Sequence, residues 1–392
     1  MSSKLSPHGG RGPAPNLSEV DRIEGPFETN VPERTRGLMA RLFARREKQA
    51  DVERRTAPSG GAPTPAGEAV GAAPPKRRRL SLALQGGGAF GAFTWGVLDR
   101  LLEADEIDFD AVSGASAGAI NAVLLASGLA RGGRDEARAS LDRFWRTLGE
   151  CPVRVPLLSQ KIVAAATSQL SPYQFNPLDV NRLRDLLDEE VDFEAVQTKR
   201  PIRLLISATR VHDGALRVFR TKAVTLDVVL ASACLPRLHH AVNIHGEPHW
   251  DGGYAANPPL IPLVAASSTP NVLVVQLVPT DHADLPVTKS EIEKRLGQIT
   301  FNAPLQKELA AISLASKLIR TEEGATHSRL GEKINALRLQ RISAEEHVEG
   351  LSELSALNTD AGFLLHLRDR GRAAADAWLT VEADRLEELA AA

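Results

Sequence analysis

The fold of this chain is decided by residues 80–91, which read Leu80-Ser81-Leu82-Ala83-Leu84-Gln85-Gly86-Gly87-Gly88-Ala89-Phe90-Gly91. The first five residues are a short apolar run that stops before the glycines, which is typical of a buried strand. Over residues 89–103 large apolar side chains recur at helical spacing, so the glycines form a strand-to-helix turn. Backbone N–H groups in such a turn are not screened by side chains and can hold a phosphate or an oxyanion.

A second strand-to-helix unit follows directly. Residues 109–113 are a strand candidate and residues 117–129 an apolar helix, and Gly114-Ala115-Ser116-Ala117-Gly118 lies between them. Strand and helix alternating at short intervals predict an α/β fold with a mainly parallel sheet. Further strands are predicted at residues 202–208 and 272–278, with a short helix at 228–233 between them.

After Pro279 the sequence becomes long, charged and helix-periodic. Residues 292–330 and 345–389 are predicted to be helices with few strand signals. We expect this region to pack on the α/β body or to cover its active face. The apolar stripe of residues 352–378 could form an acyl-chain groove or lid, but core packing is the favoured interpretation.

Ser116 is a candidate nucleophile. A serine between glycines at a strand-to-helix turn is raised above the sheet and lies at the positive end of the helix dipole. The loop Gly86 to Gly91 would supply the oxyanion donors. The pattern Gly86-x-Gly88-x-x-Gly91 also fits a dinucleotide-binding fingerprint, which expects an acidic residue at the end of the second strand. Here that strand runs straight into the Ser116 turn, so acyl transfer is favoured and nucleotide binding remains the alternative.

Asp251 is the candidate base. It is followed by two glycines, Gly252 and Gly253, in a turn that leaves its side chain free to face a serine, although any Asp-Gly can be an ordinary turn. A histidine base is disfavoured because none of the late histidines stands in a tight, glycine-flanked turn: His282, His327, His347 and His366. A second group of histidines lacks the spacing of metal ligands, so we expect no metal site there. This group consists of His239, His240, His245 and His249.

Composition excludes several classes of protein. The 392 residues have a formal net charge of -2, which argues against a nucleic-acid-binding protein. Cys151 and Cys234 are too few for a disulfide framework and are expected to be reduced thiols in a cytoplasmic protein. No apolar run is long enough for a membrane-spanning helix, and the first residues lack the apolar core of a secretory signal.

Residues 1–79 hold 10 of the 24 prolines and are predicted to be mostly disordered. Residues 34–55 are free of proline and have the pattern of a short basic amphipathic helix, followed later by the cluster Lys76 to Arg79. Peripheral contact of this tail with an anionic membrane is one interpretation, and a solvated tail without lipid contact is the favoured one.

Four motifs together resemble the patatin-like phospholipase family. They occur in that family's order over residues 80–280: Gly86 to Gly91, Gly114 to Gly118, Ala231-Ser232-Ala233-Cys234-Leu235-Pro236, and Asp251-Gly252-Gly253. The resemblance implies a three-layer α/β/α catalytic domain at 80–280, with a helical extension at 281–392. It further implies a Ser116–Asp251 dyad without histidine, an oxyanion hole at Gly86, Gly87, Gly88, Ala89, Phe90 and Gly91, and no metal or organic cofactor.

The implied activity is hydrolysis of lipid acyl esters through an acyl-serine. Two alternatives remain open at this level: an acyltransferase that uses the same intermediate, and a non-catalytic lipid-binding protein. We read Ser232 as a packing residue and Cys234 as a small buried one. A carboxylate of ordinary pKa is a poor base toward serine, so we expect Asp251 to be desolvated.

Overall fold

The computed structural model describes residues 77–150, 170–280, 285–321, 329–345 and 356–391. Most of the predicted tail, Cys151, and three of the late histidines, His282, His327 and His347, lie outside the described residues. Residues 74–392 form one compact unit. The predicted boundaries at residues 79 and 280 stay predictions.

The first half of this unit begins with two strand-to-helix units, as predicted. In chain order its elements are β1 (Arg78–Leu84), α1 (Gly91–Glu103), β2 (Ile107–Gly114), α2 (Ala117–Gly149), α3 (Pro172–Phe175), α4 (Arg182–Glu190), α5 (Phe193–Lys199), β3 (Arg203–Arg210), β4 (Leu216–Arg220) and α6 (Leu226–Ser232). Helix α2 is longer than predicted, because it continues through a kink at Gly133, where φ is 79°.

The second half begins with a hairpin. Its elements are β5 (Val242–Ile244), β6 (Glu247–Asp251), α7 (Leu260–Ala266), β7 (Asn271–Gln276), α8 (Lys289–Thr321), α9 (Arg329–Ala336), β8 (Arg338–Ser343) and α10 (Ala361–Ala391). The sequence analysis missed β4, β5, β6 and β8. Only one of the six residues of β8 is buried, so this strand lacks the apolar run by which buried strands are recognised.

The described strands form one mixed sheet in the order β5-β6-β3-β2-β1-β7-β8, with β4 also paired to β3. Five neighbouring strands, in the order β3-β2-β1-β7-β8, are parallel. Strands β4 and β6 pair antiparallel with β3, and β5 pairs antiparallel with β6. The predicted α/β class with a mainly parallel sheet is confirmed. In the described part of the chain, no helix is apolar and long enough to cross a bilayer.

Helices cover both faces of the sheet, because alternate side chains of each central strand are apolar. Leu82 and Leu84 of β1 face one core together with α1, α2 and α10, whereas Ala83 faces a second core with α7 and α8. Strands buried on both sides in this way are typical of parallel sheets. Leu364 and Leu367 of α10 are buried in the first core, which confirms core packing for these members of the predicted apolar stripe.

The C-terminal helix α10 crosses α1 at unusually short range. A Cβ atom on Gly371 would lie 2.0 Å from the carbonyl oxygen of Phe93, and one on Gly96 would lie 1.9 Å from that of Arg368. Glycines at both contact points let the two backbones touch. Ion pairs flank the crossing, with Arg372 binding Asp99 and Glu103 on α1.

Replacing Gly371 by alanine is expected to lower the Tm, because its methyl group would force α10 away from α1. We expect the free energy of unfolding to fall by about 1–3 kcal/mol, although alanine favours a helix by roughly 0.5–1 kcal/mol. Gly362→Ala in the same helix is the control, since its methyl group would meet only the side-chain oxygen of Asp360. Equal thermal denaturation curves for the two variants would contradict the close crossing.

Candidate active site

Ser116 lies in a strained turn between β2 and α2. Its φ is 52° and its ψ is -124°, a conformation that L-residues rarely adopt. The flanking glycines are sterically required: a Cβ atom on Gly118 would lie 2.0 Å from the carbonyl oxygen of Leu84, and one on Gly114 would meet the backbone of Gly118. Ala115 and Ala117 are buried beside it. The local sequence thus allows β2 and α2 to meet at an angle that holds Ser116 in the turn.

The register of the sheet brings Asp251 close to this turn. Strand β2 pairs with β3 as far as Gly114, which lies opposite Ile206. Strand β6 pairs with β3 from the other direction, and its last residue, Asp251, lies opposite Ala208. Strand β4 pairs with the opposite edge of β3. Strands β2 and β6 therefore lie along the same edge of β3, and β6 begins its pairing beyond the last residue of β2. Asp251 therefore lies beyond the end of β2, where the chain turns at Ser116.

The Asp251 carboxyl is completely buried and has few polar neighbours. Its Oδ1 accepts a 2.7 Å hydrogen bond from the Gly253 N–H. Its Oδ2 has no hydrogen-bond partner of normal geometry among the described residues. Desolvation raises the pKa of Asp251 to about 7, and hydrogen bonding from Gly253 and from the Ser116 hydroxyl limits the rise. The expected desolvation of this carboxyl is therefore present, and the Ser116 hydroxyl lies close enough to act on it.

The glycine loop between β1 and α1 approaches the same point. A Cβ atom on Gly86 would lie 2.7 Å from Cβ of Ser116, so this position also requires glycine. Three amides of the predicted donor set already have acceptors, however. The Gly86 N–H donates to Oδ1 of Asn257 at 2.7 Å, and the Phe90 and Gly91 amides bond back to the loop itself.

Three amides of the loop, those of Gly87, Gly88 and Ala89, have no acceptor among the described residues. Gly88 has a positive φ of 58°, and a Cβ atom there would lie 2.2 Å from the carbonyl oxygen of Ala356. Residues just before α10 thus lie against the glycine loop.

Three buried amide side chains anchor the loop, and the sequence analysis did not identify them. Asn257 accepts from Gly86 and donates to the carbonyl oxygen of Phe301 in α8 at 3.0 Å. Gln85 donates to Asn302 at 2.9 Å and accepts from the amides of Leu277 and Val278. The available sequence signal was weak: Asn257 follows the Asp-Gly-Gly turn by a few residues, and Gln85 ends an apolar strand.

Ser232 does more than pack, because it is hydrogen-bonded to the Ser116 turn. Both its hydroxyl and its carbonyl oxygen accept from the Ser116 N–H, at 3.0 and 3.1 Å. The adjoining Cys234 accepts, through its carbonyl oxygen, a 2.8 Å bond from the Asp251 N–H. Burial, followed by the charge of Asp251, raises the pKa of the Cys234 thiol to about 12, so it is the small buried residue that the sequence indicated. The end of α6 and the turn after it therefore bind the backbone amides of both Ser116 and Asp251.

In the described part of the chain, neither a histidine nor a metal-ligand cluster lies at this pair. Among the described histidines, none forms a hydrogen bond or ion pair with Ser116 or Asp251. In the same part of the chain, no three His, Cys, Asp or Glu side chains are grouped so that they could hold a metal ion. Cavities of about 220 Å³ beside Lys333 and about 460 Å³ beside Arg138 lie elsewhere and are not lined by the pair.

Comparison with known proteins shows similarity over about half of the chain. Residues 82–264 match the patatin-like phospholipases. Protein YjjU of Escherichia coli (strain K12), which is uncharacterized, is 26% identical over 234 residues, covering 56% of this chain and 57% of the relative. The match therefore spans just over half of the relative's length.

Two solved structures share weaker similarity. VipD from Legionella pneumophila is 16% identical, with a TM-score of 0.31 over 75% of this chain and 67% of that one. The ExoU-SpcU complex of the type III secretion system of Pseudomonas aeruginosa gives 16% identity and a TM-score of 0.29, over 77% of this chain and 74% of the other.

Replacing Asp251 by asparagine is expected to stabilise the fold, most strongly at alkaline pH. In the unfolded chain the carboxyl titrates near pKa 3.9, whereas burial raises its folded pKa to about 7. The folded state thus holds a proton that the unfolded state has lost, and this stabilisation disappears as the pH rises through 7. Asparagine keeps the acceptor for Gly253 and does not titrate.

We therefore expect the stability advantage of Asp251→Asn to grow by roughly 3 kcal/mol between pH 5 and pH 8, at about 1.4 kcal/mol per pKa unit. Urea unfolding of both proteins at the two pH values measures it. An advantage that is the same at pH 5 and pH 8 would show that the folded pKa of Asp251 is not raised.

Proposed function

We propose that this chain hydrolyses acyl ester bonds of lipids through a Ser116–Asp251 dyad. The match of residues 82–264 to the patatin-like phospholipases supports this proposal. The observation that carries the proposal is the fully buried Asp251 carboxyl with a pKa of about 7, which interacts with the Ser116 hydroxyl. A carboxylate with this pKa is a stronger base than an ordinary aspartate and is half ionised near neutral pH.

In the first half-reaction, the Oγ atom of Ser116 attacks the ester carbonyl carbon while Asp251 accepts the hydroxyl proton. The negative charge moves to the carbonyl oxygen, which accepts hydrogen bonds from the unoccupied amides of the glycine loop, those of Gly87, Gly88 and Ala89. The amino terminus of α2 adds a favourable dipole at Ser116. The intermediate then collapses, the ester bond breaks, and the leaving alcohol takes the proton from Asp251.

In the second half-reaction, water replaces the alcohol. Asp251 accepts a proton from the water, whose oxygen attacks the acyl carbon of acyl-Ser116. Collapse of this second intermediate releases the fatty acid, and the Ser116 oxygen regains its proton from Asp251. The strained turn at Ser116, held by Ser232, keeps the Oγ atom in place through both steps.

Ser116→Ala should lower release of fatty acid from a fluorogenic lipid ester by at least about 10³-fold, because no other group would form the acyl intermediate. Ser113→Ala is a matched control in the same strand, since the Ser113 hydroxyl is buried without a described hydrogen-bond partner. Labelling with a fluorophosphonate probe should be lost only in the Ser116 variant. If Ser116→Ala were active or labelled, Ser116 would not be the nucleophile.

The pH dependence of kcat/KM should report the Asp251 base. Below about pH 7 the carboxyl is protonated, so kcat/KM should fall about tenfold for each further pH unit, and above that pH it should level off. Initial rates on a soluble short-chain ester between pH 5 and pH 9 measure this. Full activity down to pH 5 would mean that the base titrates at the pKa of an ordinary aspartate.

A further inference from the structure

Helix α8 carries an exposed apolar stripe along its first half. Ile292, Leu296 and Ile299 recur at intervals of four and three residues, which places them on one face of the helix. Each is between 42% and 58% exposed. Leu285 and Val287, just before the helix, are 84% and 75% exposed. Five large aliphatic side chains in so short a segment are more than the scattered exposure normal for a protein surface.

The rest of α8 fixes this face toward solvent. Leu305 lies on the far side of the helix and is fully buried in the core beneath α7, where Leu309 and Ile312 also pack. Pro304 interrupts the helix between this core and the stripe, but the half that carries the stripe has its own anchors. Phe301 packs on Tyr254, and the buried Asn302 accepts from Gln85, so rotation that buried the stripe would break these contacts. The stripe, defined as Leu285, Val287, Ile292, Leu296 and Ile299, is a stable surface of the described structure.

The stripe adjoins the proposed active site. Phe301, two residues after Ile299, stacks at a tilt on Tyr254 with ring centroids 5.0 Å apart. A Cβ atom on Gly253 would lie 2.6 Å from the Phe301 ring. Asn257, which anchors the glycine loop, donates to the carbonyl oxygen of Phe301. The same helix thus contacts the Asp251 turn and presents the stripe beside it.

Charge favours one kind of partner for the stripe. Helix α8 contains six Lys and Arg residues against three Glu residues, in a chain whose formal net charge is -2. Lys289 and Lys307 are exposed and lie close to the stripe in the helical projection. Exposed aliphatic side chains bordered by lysines are the pattern of a helix that lies in the interface of an anionic bilayer.

We propose that the stripe docks this chain on an anionic phospholipid bilayer and brings the Ser116–Asp251 pair to the membrane surface. The aliphatic side chains enter the boundary between head groups and acyl chains, while the lysines contact lipid phosphates. The proposal rests on the proposed function for its purpose, since a lipid ester must reach Ser116 from a membrane. The docking itself does not require catalysis.

Vesicle flotation of the full chain tests the proposal. Leu296→Glu/Ile299→Glu should bind vesicles of phosphatidylcholine and phosphatidylglycerol at least about tenfold more weakly, because two carboxylates replace the apolar contact. Binding should also weaken in high salt and on pure phosphatidylcholine. The Ser116→Ala background prevents turnover, so the result does not depend on activity.

The matched control is Val381→Glu, an equally exposed aliphatic position on α10, which covers the other face of the sheet. It should bind vesicles as the parent does. In the presence of Ser116, the stripe variant should hydrolyse a soluble short-chain ester at the parental rate and lose activity only on vesicles. An inactive parent that still floats would refute the proposed function and leave the docking intact.

Three results would overturn the docking. The first is equal flotation of the stripe variant and its parent. The second is amide hydrogen exchange over residues 285–300 that does not slow when vesicles are added, which would place binding elsewhere on the chain. The third is a parent dimer that the stripe variant converts to a monomer in light scattering, which would make a second copy the occupant of the stripe.

Discussion

The burial of one carboxyl group is the constraint on which the site depends. Asp251 is completely buried, its Oδ1 accepts one firm hydrogen bond, and its Oδ2 has no partner of normal geometry among the described residues. Ionisation in such an environment is costly, which is the origin of the raised pKa. The sheet must hold Asp251 there against this cost, and it does so by pairing β6 with β3 and by the bond from the Asp251 N–H to Cys234.

The remaining parts of the site are held by buried polar contacts between segments far apart in the chain. Ser232 fixes the strained Ser116 turn, and Asn257 ties the glycine loop to α8. Each of these polar groups is buried and would be costly if left unpaired. These contacts therefore hold the three turns in place relative to one another, and a site that needs aligned groups depends on such positioning.

The sequence after residue 280 contributes to this arrangement from both faces of the sheet. Helix α10 lies on α1, with Ala356 against Gly88 at the glycine loop. Helix α8 lies on the other face and contacts the turn after Asp251 through Phe301. Strand β8 extends the sheet itself, so this region is not the purely helical addition that its periodicity indicated. The sequence of β8 is charged and half-exposed, so it does not look like a strand, although it pairs with β7.

The sequence by itself determined the parts whose requirements are local. Glycines at 86, 88, 114 and 118 allow turns that no other residue fits, so the two strand-to-helix units, the α/β class and the position of Ser116 could be predicted from the motifs. The choice of Asp251 over the histidines came from resemblance to a family, and its role as base is a proposal.

Only the tertiary structure decided how these parts meet. The hairpin of β5 and β6 occupies the edge of β3 beyond β2, and that non-local pairing brings Asp251 to Ser116 from 135 residues away. The same contacts occupy the Gly86 amide with Asn257, while the amides of Gly87, Gly88 and Ala89 have no acceptor among the described residues, which no sequence pattern indicates. Register, burial and the resulting pKa depend on neighbours that the chain supplies only when it is folded.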